Sequence, residues 1–222
     1  MDGVKEHGLL FVAPMARAAV AGIKTQTRRL PTASNSLVDG VGISAKRWAA
    51  MRFDWSRAVI DAGPSPAGNA GPYIKVPSGN GETWHRIYPR YEVGDRIWGR
   101  ETHCAFEVGR VHYRADYSEH SKLDREHGVI WTPSIHMPRW AARIVRDITA
   151  VRVERLQDIS EADARAEGAP PSHPSIDAVS REFGYKDFPR SWYAQLWDSI
   201  NGSGSWDANP PVIVIEFAGV QP

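Results

Sequence analysis

The sequence predicts an α+β fold built around a β-barrel, and three features of the chain indicate it. Short runs of β-prone residues dominate, above all 96–102, 111–116 and 144–156. About four segments with helix signals lie around these runs. The run Val212–Phe217 is apolar enough to form a closing strand that is buried on both faces. Because 222 residues suffice for one large domain, we expect residues 1–222 to form a single domain.

The early part of the chain predicts a helix followed by a strand. Pro14 suits the first turn of a helix, where its missing N–H costs nothing, and Gly22 suits the helix end. Residues 24–30 then have the pattern of an extended strand, with Thr27 and Arg29 on one side.

The late part of the chain predicts two helices. Ser160 with Asp163 three residues later is a helix-start signature, and this short helix is expected to end at Glu167. Pro189 opens the second helix, which ends at Asn201-Gly202. Its apolar residues recur at helical spacing and predict a core-facing stripe: Trp192, Tyr193, Leu196, Trp197 and Ile200.

Three segments are predicted to be largely irregular. Residues 31–90 are rich in Gly, Ser, Asn and Pro, and we interpret them as a large, partly mobile insertion that could act as a lid across one face. Within it we expect one helix around 46–60 and no helix or strand in 62–81. Residues 117–128 are expected to form a loop, and 169–188 a Pro-containing connection.

Composition indicates a cytoplasmic protein without a membrane span. Hydrophobic residues make up 42% of the chain, charged residues 24%, and no apolar run approaches the roughly 20 residues of a transmembrane helix. The single cysteine, Cys104, excludes an internal disulfide and a multi-cysteine zinc site. The net charge of +1 argues against binding nucleic acid through bulk charge alone, although nine Trp offer surfaces for base stacking.

The most specific motif lies at the start of the predicted early strand. Gly22, Lys24, Thr27 and Arg29 have the spacing G-x-K-x-x-T-x-R, and the turn at Gly94-Asp95 precedes a later strand. With the helices and closing strand in this order, the chain resembles ASCH domains, relatives of the PUA RNA-binding barrel, and in particular ASCH-like proteins of phages and prophages. The resemblance implies a PUA-like mixed β-barrel of about five to seven strands with large loop insertions.

The resemblance also implies a set of site residues. One compact bacterial branch of the family removes the acetyl group from N4-acetylcytidine, and its Lys, Thr, Arg and Glu motif residues match Lys24, Thr27, Arg29 and Glu167. Lys24, Thr27 and Glu167 are thereby implied to be catalytic, and Arg29 to bind substrate. Without the resemblance, each residue also has a structural interpretation: Thr27 as a β-forming residue, Lys24 as a charge that favours the helix dipole, and Arg29 with Glu167 as an ion pair across the barrel mouth.

These residue types suit hydrolysis of an amide on a cytosine. Thr27 offers a hydroxyl nucleophile, which is weak unless a base removes its proton. Lys24 could be that base if its pKa falls well below about 10.4, or it could stay charged and bind the oxyanion. Glu167 could relay the proton to the leaving amine or hold Lys24 charged. The sequence leaves both pairs of roles open.

Additional substrate-binding residues are suggested by aromatic and charged side chains. Trp98, Trp84 and Trp140 are candidates for base stacking, and Arg139 next to Trp140 could help grip a base. Trp140 could instead plug a barrel end. Glu101, on the strand after the Gly-Asp turn, could line the pocket beside Arg29 or form a surface ion pair.

The chain contains no sequence motif for metal binding, cofactor binding or serine-hydrolase chemistry. The eight His residues lack ligand spacing, and P-loop, dinucleotide-binding and serine-hydrolase motifs are absent, so neither a metal nor a cofactor is predicted. The partner is expected to be a nucleoside, RNA or single-stranded nucleic acid. Besides an amidohydrolase, the sequence leaves open a non-catalytic module for RNA, DNA or a modified base, and a ribonuclease. It does not define an oligomeric state.

Overall fold

An open five-stranded sheet in the order β1-β7-β10-β11-β2 is the largest element of the protein. The computed structural model describes residues 3–63, 71–107, 110–117 and 129–218. Strand β1 pairs in parallel with β7, and the other neighbours are antiparallel, so the sheet is mixed as predicted. Its strands are β1 (Glu6–Leu10), β2 (Gln26–Arg29), β7 (Arg96–Arg100), β10 (Val145–Arg155) and β11 (Pro211–Phe217).

The predicted closed barrel is not found among the residues that the structure describes. There, no backbone pairing joins the two edge strands, β1 and β2. A side chain bridges these edges instead, because Nη2 of Arg29 donates to the backbone oxygen of Leu10 at 2.8 Å. The fold is therefore α+β, with several sheets and five described α-helices.

The described helices are α1 (Ala13–Val20), α2 (Ala45–Met51), α3 (Glu161–Ala166), α4 (Pro174–Glu182) and α5 (Phe188–Asn201). The signals for α1, α3 and α5 are confirmed: a Pro lies in the first turn of α1 and α5, and Ser160 and Asp163 form a complete capping box at α3. Helix α4 falls in 169–188, which was wrongly predicted to be a connection without a helix. None of the helices in this part of the chain has the length and apolar composition needed to cross a bilayer.

The insertion, residues 31–90, contains more regular structure than the sequence predicts. It forms a second sheet, in the order β3-β6-β5-β4, which we call the insertion sheet. Its strands are β3 (Ser36–Val38), β4 (Val59–Asp61), β5 (Tyr73–Pro77) and β6 (Trp84–Pro89). Strand β5 contradicts the expectation of no strand in 62–81, and the helix expected at 46–60 is the shorter α2.

The sequence did not predict these strands because tertiary contacts stabilise them. The apolar residues of β5 and β6 are few, but Ile74, Val76 and Ile87 are buried in the same core as the large sheet. Strand pairing and this burial stabilise segments whose local composition favours turns. Helix α2 ends because Arg52 adopts a left-handed conformation, with φ of 46°.

A third, two-stranded sheet pairs β8 (His103–Glu107) with β9 (Arg110–Tyr113). Strand β8 was not predicted, and the strand predicted at 111–116 ends in a 3₁₀ turn over Arg114–Asp116. The loop predicted at 117–128 lies, apart from residue 117, outside the described residues.

Two apolar cores meet at the central strands of the large sheet. In β11, Ile213 and Ile215 face one core and Val212 and Val214 face the other, and all four are fully buried. This confirms the prediction of a closing strand buried on both faces. The second core includes the inner side of α5, with Trp197 buried as predicted.

Gly168 fixes the direction of the chain directly after Glu167, and we expect Gly168→Ala to destabilise the protein. Its φ of +106° is unfavourable for alanine, and an added Cβ would lie 3.0 Å from Cβ of Ala18. We expect a loss of about 1–3 kcal/mol in the free energy of unfolding, measured by urea denaturation.

Gly184→Ala is the matched control, because Gly184 also has a positive φ, of +84°, but open space around the position of a Cβ. It should cost less than Gly168→Ala. Equal losses would show that contact with α1 does not constrain Gly168.

Candidate functional site

A cavity of about 320 Å³ lies between the start of α1, strand β2, the end of α3 and helix α5. Its volume is at the lower end of the range for small-molecule sites. Apolar side chains form much of the wall, among them Phe11, Met15, Leu196 and Trp197. Its charged and hydrogen-bonding groups include Lys24, Thr27, Arg28, Arg29, Glu167 and Tyr193. All three residues implied to be catalytic therefore line one cavity.

A buried ion pair between Lys24 and Glu167 lies at the centre of this site. Both residues are only 2% exposed. The Nζ atom of Lys24 forms a short contact with Oε2 of Glu167 and donates to the backbone oxygen of Glu167 at 3.1 Å. The same amine lies 5.8 Å from the ring centroid of Phe11. Lys24 is thus held by one carboxylate, one carbonyl and one aromatic ring.

Backbone hydrogen bonds bring together these two residues, which are 143 positions apart in the sequence. At the end of α1, the N–H of Lys24 donates to the oxygen of Ala18 at 3.0 Å. The next N–H, of Thr25, donates to the oxygen of Ala166 at 2.8 Å, directly before Glu167. The segment that contains the G-x-K-x-x-T-x-R motif is therefore hydrogen-bonded to the last turn of α3.

Burial shifts the protonation equilibrium of Lys24. Removal from water lowers the pKa of its amine below the ordinary value of 10.5, and the positive charges of Arg29 and Arg28 act in the same direction. The carboxylate of Glu167 opposes this shift. The net direction is downward, so a neutral amine is more accessible here than at the surface.

Arg28, which the sequence analysis did not select, is the arginine that contacts Glu167. It is 3% exposed, and its Nη1 lies 3.3 Å from Oε1 of Glu167. Its Nε donates to Glu154 at 2.8 Å, and its Nη2 lies 3.4 Å from Oδ2 of Asp163. Arg28 thereby links β2 to β10 and α3. No local signal marks it, because its acidic partners come from distant parts of the chain.

Arg29 has a different environment from the predicted one. It lines the cavity as expected, but it binds the oxygen of Leu10 and lies 5.8 Å from the ring centroid of Phe11. Its Nε is buried and has no hydrogen-bond partner among the residues that the structure describes. Arg29 therefore offers the cavity a cation that forms no salt bridge with a carboxylate of the described residues.

Thr27 lies beside this charged group, on β2. It is 3% exposed, and its backbone is opposite Ile215 of β11. No hydrogen bond to its hydroxyl is found within the described parts of the chain, and the residue lines the cavity. The hydroxyl is thus in the right region to meet a ligand.

Tyr193 is a further site residue that the sequence analysis assigned only to the core stripe of α5. Its hydroxyl donates to Oε1 of Glu167 at 3.3 Å. Burial, together with the negative charge of Glu167, raises the pKa of Tyr193 well above its ordinary value of 10.0. Tyr193 is therefore a hydrogen-bond donor to Glu167. Helix periodicity alone does not distinguish such a Tyr from an aromatic residue that only packs in the core.

The remaining candidates lie outside this cavity, which corrects the expectation that Glu101 lines the pocket beside Arg29. Glu101 is buried and forms two hydrogen bonds with Arg143, at 2.9 and 2.8 Å. Arg139 is bound through two nitrogens to the carboxylate of Glu6. Trp98 packs over Gly8 on the neighbouring strand and under the guanidinium of Arg100. None of these side chains lines the cavity.

Both other stacking candidates are exposed. Trp140 is 74% exposed in a short 3₁₀ turn, so it does not plug the end of a barrel. Trp84 is 38% exposed on the insertion sheet. No described residue of the insertion lines the cavity.

Comparisons with known proteins give no relative for this chain: no family model, no curated protein and no solved structure matches it. Within the described residues, no group of three His, Cys, Asp or Glu side chains is arranged to hold a metal ion. The chemistry of the cavity must therefore be argued from its side chains.

We expect Arg28→Ala to be far more destabilising than Arg29→Ala. Removing Arg28 leaves the carboxylates of Glu167 and Glu154 short of a buried cation, which typically costs about 3–5 kcal/mol. Removing Arg29 breaks one bond to a backbone oxygen, which costs about 1 kcal/mol. Urea unfolding of the two variants measures the difference in stability. A larger loss of unfolding free energy for Arg29→Ala would contradict the role of Arg28 as the arginine that neutralises the buried carboxylates.

A pH dependence follows from the raised pKa of Tyr193. In the folded state the hydroxyl keeps its proton at pH values where the unfolded chain loses it, so its contribution to stability is complete below 10.0 and is lost as the pH rises through the folded pKa. Relative to that of Tyr193→Phe, the free energy of unfolding of the parent protein should fall as the pH rises from about 9 to about 11. A difference independent of pH would contradict burial of this hydroxyl beside Glu167.

Proposed function

We propose that this protein is an ASCH-type, PUA-like protein that hydrolyses the amide of an acylated cytidine-type base in the described cavity. The observation that carries the proposal is the convergence of Lys24, Thr27 and Glu167 on one cavity. A buried amine with a lowered pKa, a hydroxyl with no competing partner among the described residues and a carboxylate are the groups that acyl transfer requires. Their order and types also match the signature to which the sequence is similar.

In the first step, neutral Lys24 accepts the proton of the Thr27 hydroxyl as the oxygen attacks the acyl carbon. The carbonyl π bond opens, and its electrons form an oxyanion. Lys24, now an ammonium, and the guanidinium of Arg29 supply positive charge for this oxyanion. Lys24 thereby serves as base first and as a charge-stabilising group afterwards, so the two roles that the sequence left open follow one another.

In the second step, the tetrahedral intermediate collapses and the bond from carbon to the exocyclic nitrogen breaks. Glu167, hydrogen-bonded to Lys24, relays the proton from that ammonium to the leaving amine, so cytidine departs with a neutral amino group. Water then attacks the ester on Thr27 with Lys24 again as base. The products are the carboxylic acid and free Thr27.

The charges around the cavity also suit binding without reaction. Among its lining residues, Lys24, Arg28 and Arg29 are cationic and Glu167 is anionic. This excess of cations would attract the phosphate or the base carbonyl of a nucleotide. A non-catalytic module that recognises a modified base is therefore the second candidate function.

The test is incubation of the protein with N4-acetylcytidine and with acetylated RNA, followed by chromatographic measurement of released cytidine. We expect release by the parent protein and a loss of at least about 1,000-fold in Thr27→Ala, because the nucleophile is removed. Thr27→Ser, which keeps a hydroxyl, should retain part of the activity.

Thr25→Ala is the matched control, since Thr25 belongs to the same segment but does not line the cavity. It should release cytidine at the rate of the parent protein. If the folded parent protein releases no cytidine but binds the acetylated nucleoside in calorimetry, the hydrolase proposal is wrong and the binding module remains. Equal activity in Thr27→Ala and the parent would exclude Thr27 as the nucleophile.

A further inference from the structure

The two faces of the insertion sheet differ in chemistry. Its inner face buries Ile74, Val76 and Ile87 in the main core. Residues paired directly across antiparallel strands share a face, and Lys75 is opposite Arg86. This second pair alternates with the buried residues and therefore lies on the outer face.

The outer face carries an exposed tryptophan with two cations. Trp84 is two residues before Arg86 on β6 and is 38% exposed. The Nζ atom of Lys75 lies 5.1 Å from its ring centroid, and Cζ of Arg57 lies 5.4 Å from it. We call Arg57, Lys75, Trp84 and Arg86 the outer patch.

The cations of the outer patch are not held in close ion pairs. Within the described ranges of the chain no salt bridge joins Arg57, Lys75 or Arg86 to an acid. A hydrogen bond from the side chain of Ser56 and, more weakly, the charge of Arg57 lower the pKa of Asp54. Like charges directly opposite each other, as in the pair of Lys75 and Arg86, are unfavourable for strand pairing. Because the whole chain has a net charge of only +1, this concentration of cations is a local property and not a general excess.

Nearby acids are engaged in local hydrogen bonds. Asp61 accepts hydrogen bonds from the hydroxyl of Tyr73 and the N–H of Gly63, both at 2.9 Å. Asp54 accepts hydrogen bonds from the backbone and the hydroxyl of Ser56. Both carboxylates keep their charge, but their hydrogen bonds hold them at these neutral groups, so the cations of the outer patch can also pair with the charge of a ligand.

We propose that the outer patch binds single-stranded nucleic acid, with phosphates at Arg57, Lys75 and Arg86 and a base stacked on Trp84. A base stacked on an aromatic side chain contributes more to binding than an exposed cation–π contact does. A cation that the base displaces from the ring is then free to bind a phosphate. Exchange of these contacts for a stacked base and phosphates is therefore favourable.

The combination of groups favours a single strand over other polyanions. An acidic peptide would pair with the cations but would leave the indole without a flat partner. In a duplex the faces of the bases are already stacked on one another, so Trp84 would contact only the backbone. This binding needs no residue of the cavity and no turnover, so it can hold or fail independently of amide hydrolysis.

The test is fluorescence anisotropy with a labelled single-stranded RNA oligomer and the full-length protein. We expect Trp84→Ala to weaken binding by about 10-fold or more, because one stacked base is lost. Lys75→Glu should also weaken binding, and it should reduce the salt dependence, whose slope for three phosphate contacts is about +2 in log Kd against log salt.

Two matched variants serve as controls. Phe183→Ala removes an exposed aromatic side chain from another surface, and Lys186→Glu makes the same charge change at an exposed lysine outside the patch. Both should bind like the parent protein. The proposal is overturned if the controls weaken binding as much as the patch variants, if Trp84→Ala has no effect, or if polyglutamate competes as well as unlabelled RNA.

Discussion

The buried ion pair of Lys24 and Glu167 is the interaction on which the rest of the site depends. Withdrawing two charges from water costs several kcal/mol for each ion, and their mutual attraction offsets this only when further hydrogen bonds satisfy both groups. Arg28, Tyr193 and the backbone oxygen of Glu167 supply those bonds. The carboxylate of Glu154, which accepts a hydrogen bond from Nε of Arg28, then neutralises the charge of Arg28. Four elements of the fold are thereby fixed around one cavity.

This arrangement explains why the cavity is suited to chemistry and not only to packing. Desolvation lowers the pKa of the Lys24 amine, and the carboxylate of Glu167 only partly opposes this shift, so the neutral amine is easier to form than at the surface. In the described part of the chain, the hydroxyl of Thr27 has no hydrogen-bond partner and Arg29 forms no salt bridge with an acid. The apolar wall limits access of water, which strengthens each of these electrostatic interactions.

Local signals in the sequence predicted local structure well. Pro14, the capping box at Ser160 and Asp163, and Gly202 mark helix ends through short-range bonds, and the structure has helices that begin or end there. Signals that depend on distant partners were missed. The sequence could not show that Arg28 and Arg29 have different environments, because the three acids that contact Arg28 come from β10 and from α3 and its end. The insertion sheet was missed because its stability comes from the shared core.

In the proposed reaction, Thr27 forms a covalent bond to the acyl group while Lys24 accepts its proton. Peptide mass mapping of protein quenched with acid early in turnover of N4-acetylcytidine detects this bond directly. We expect an acetyl ester on the peptide that contains Thr27 and none in Lys24→Ala. Release of cytidine with no acetyl group on Thr27, or with the acetyl group on another residue, would contradict it.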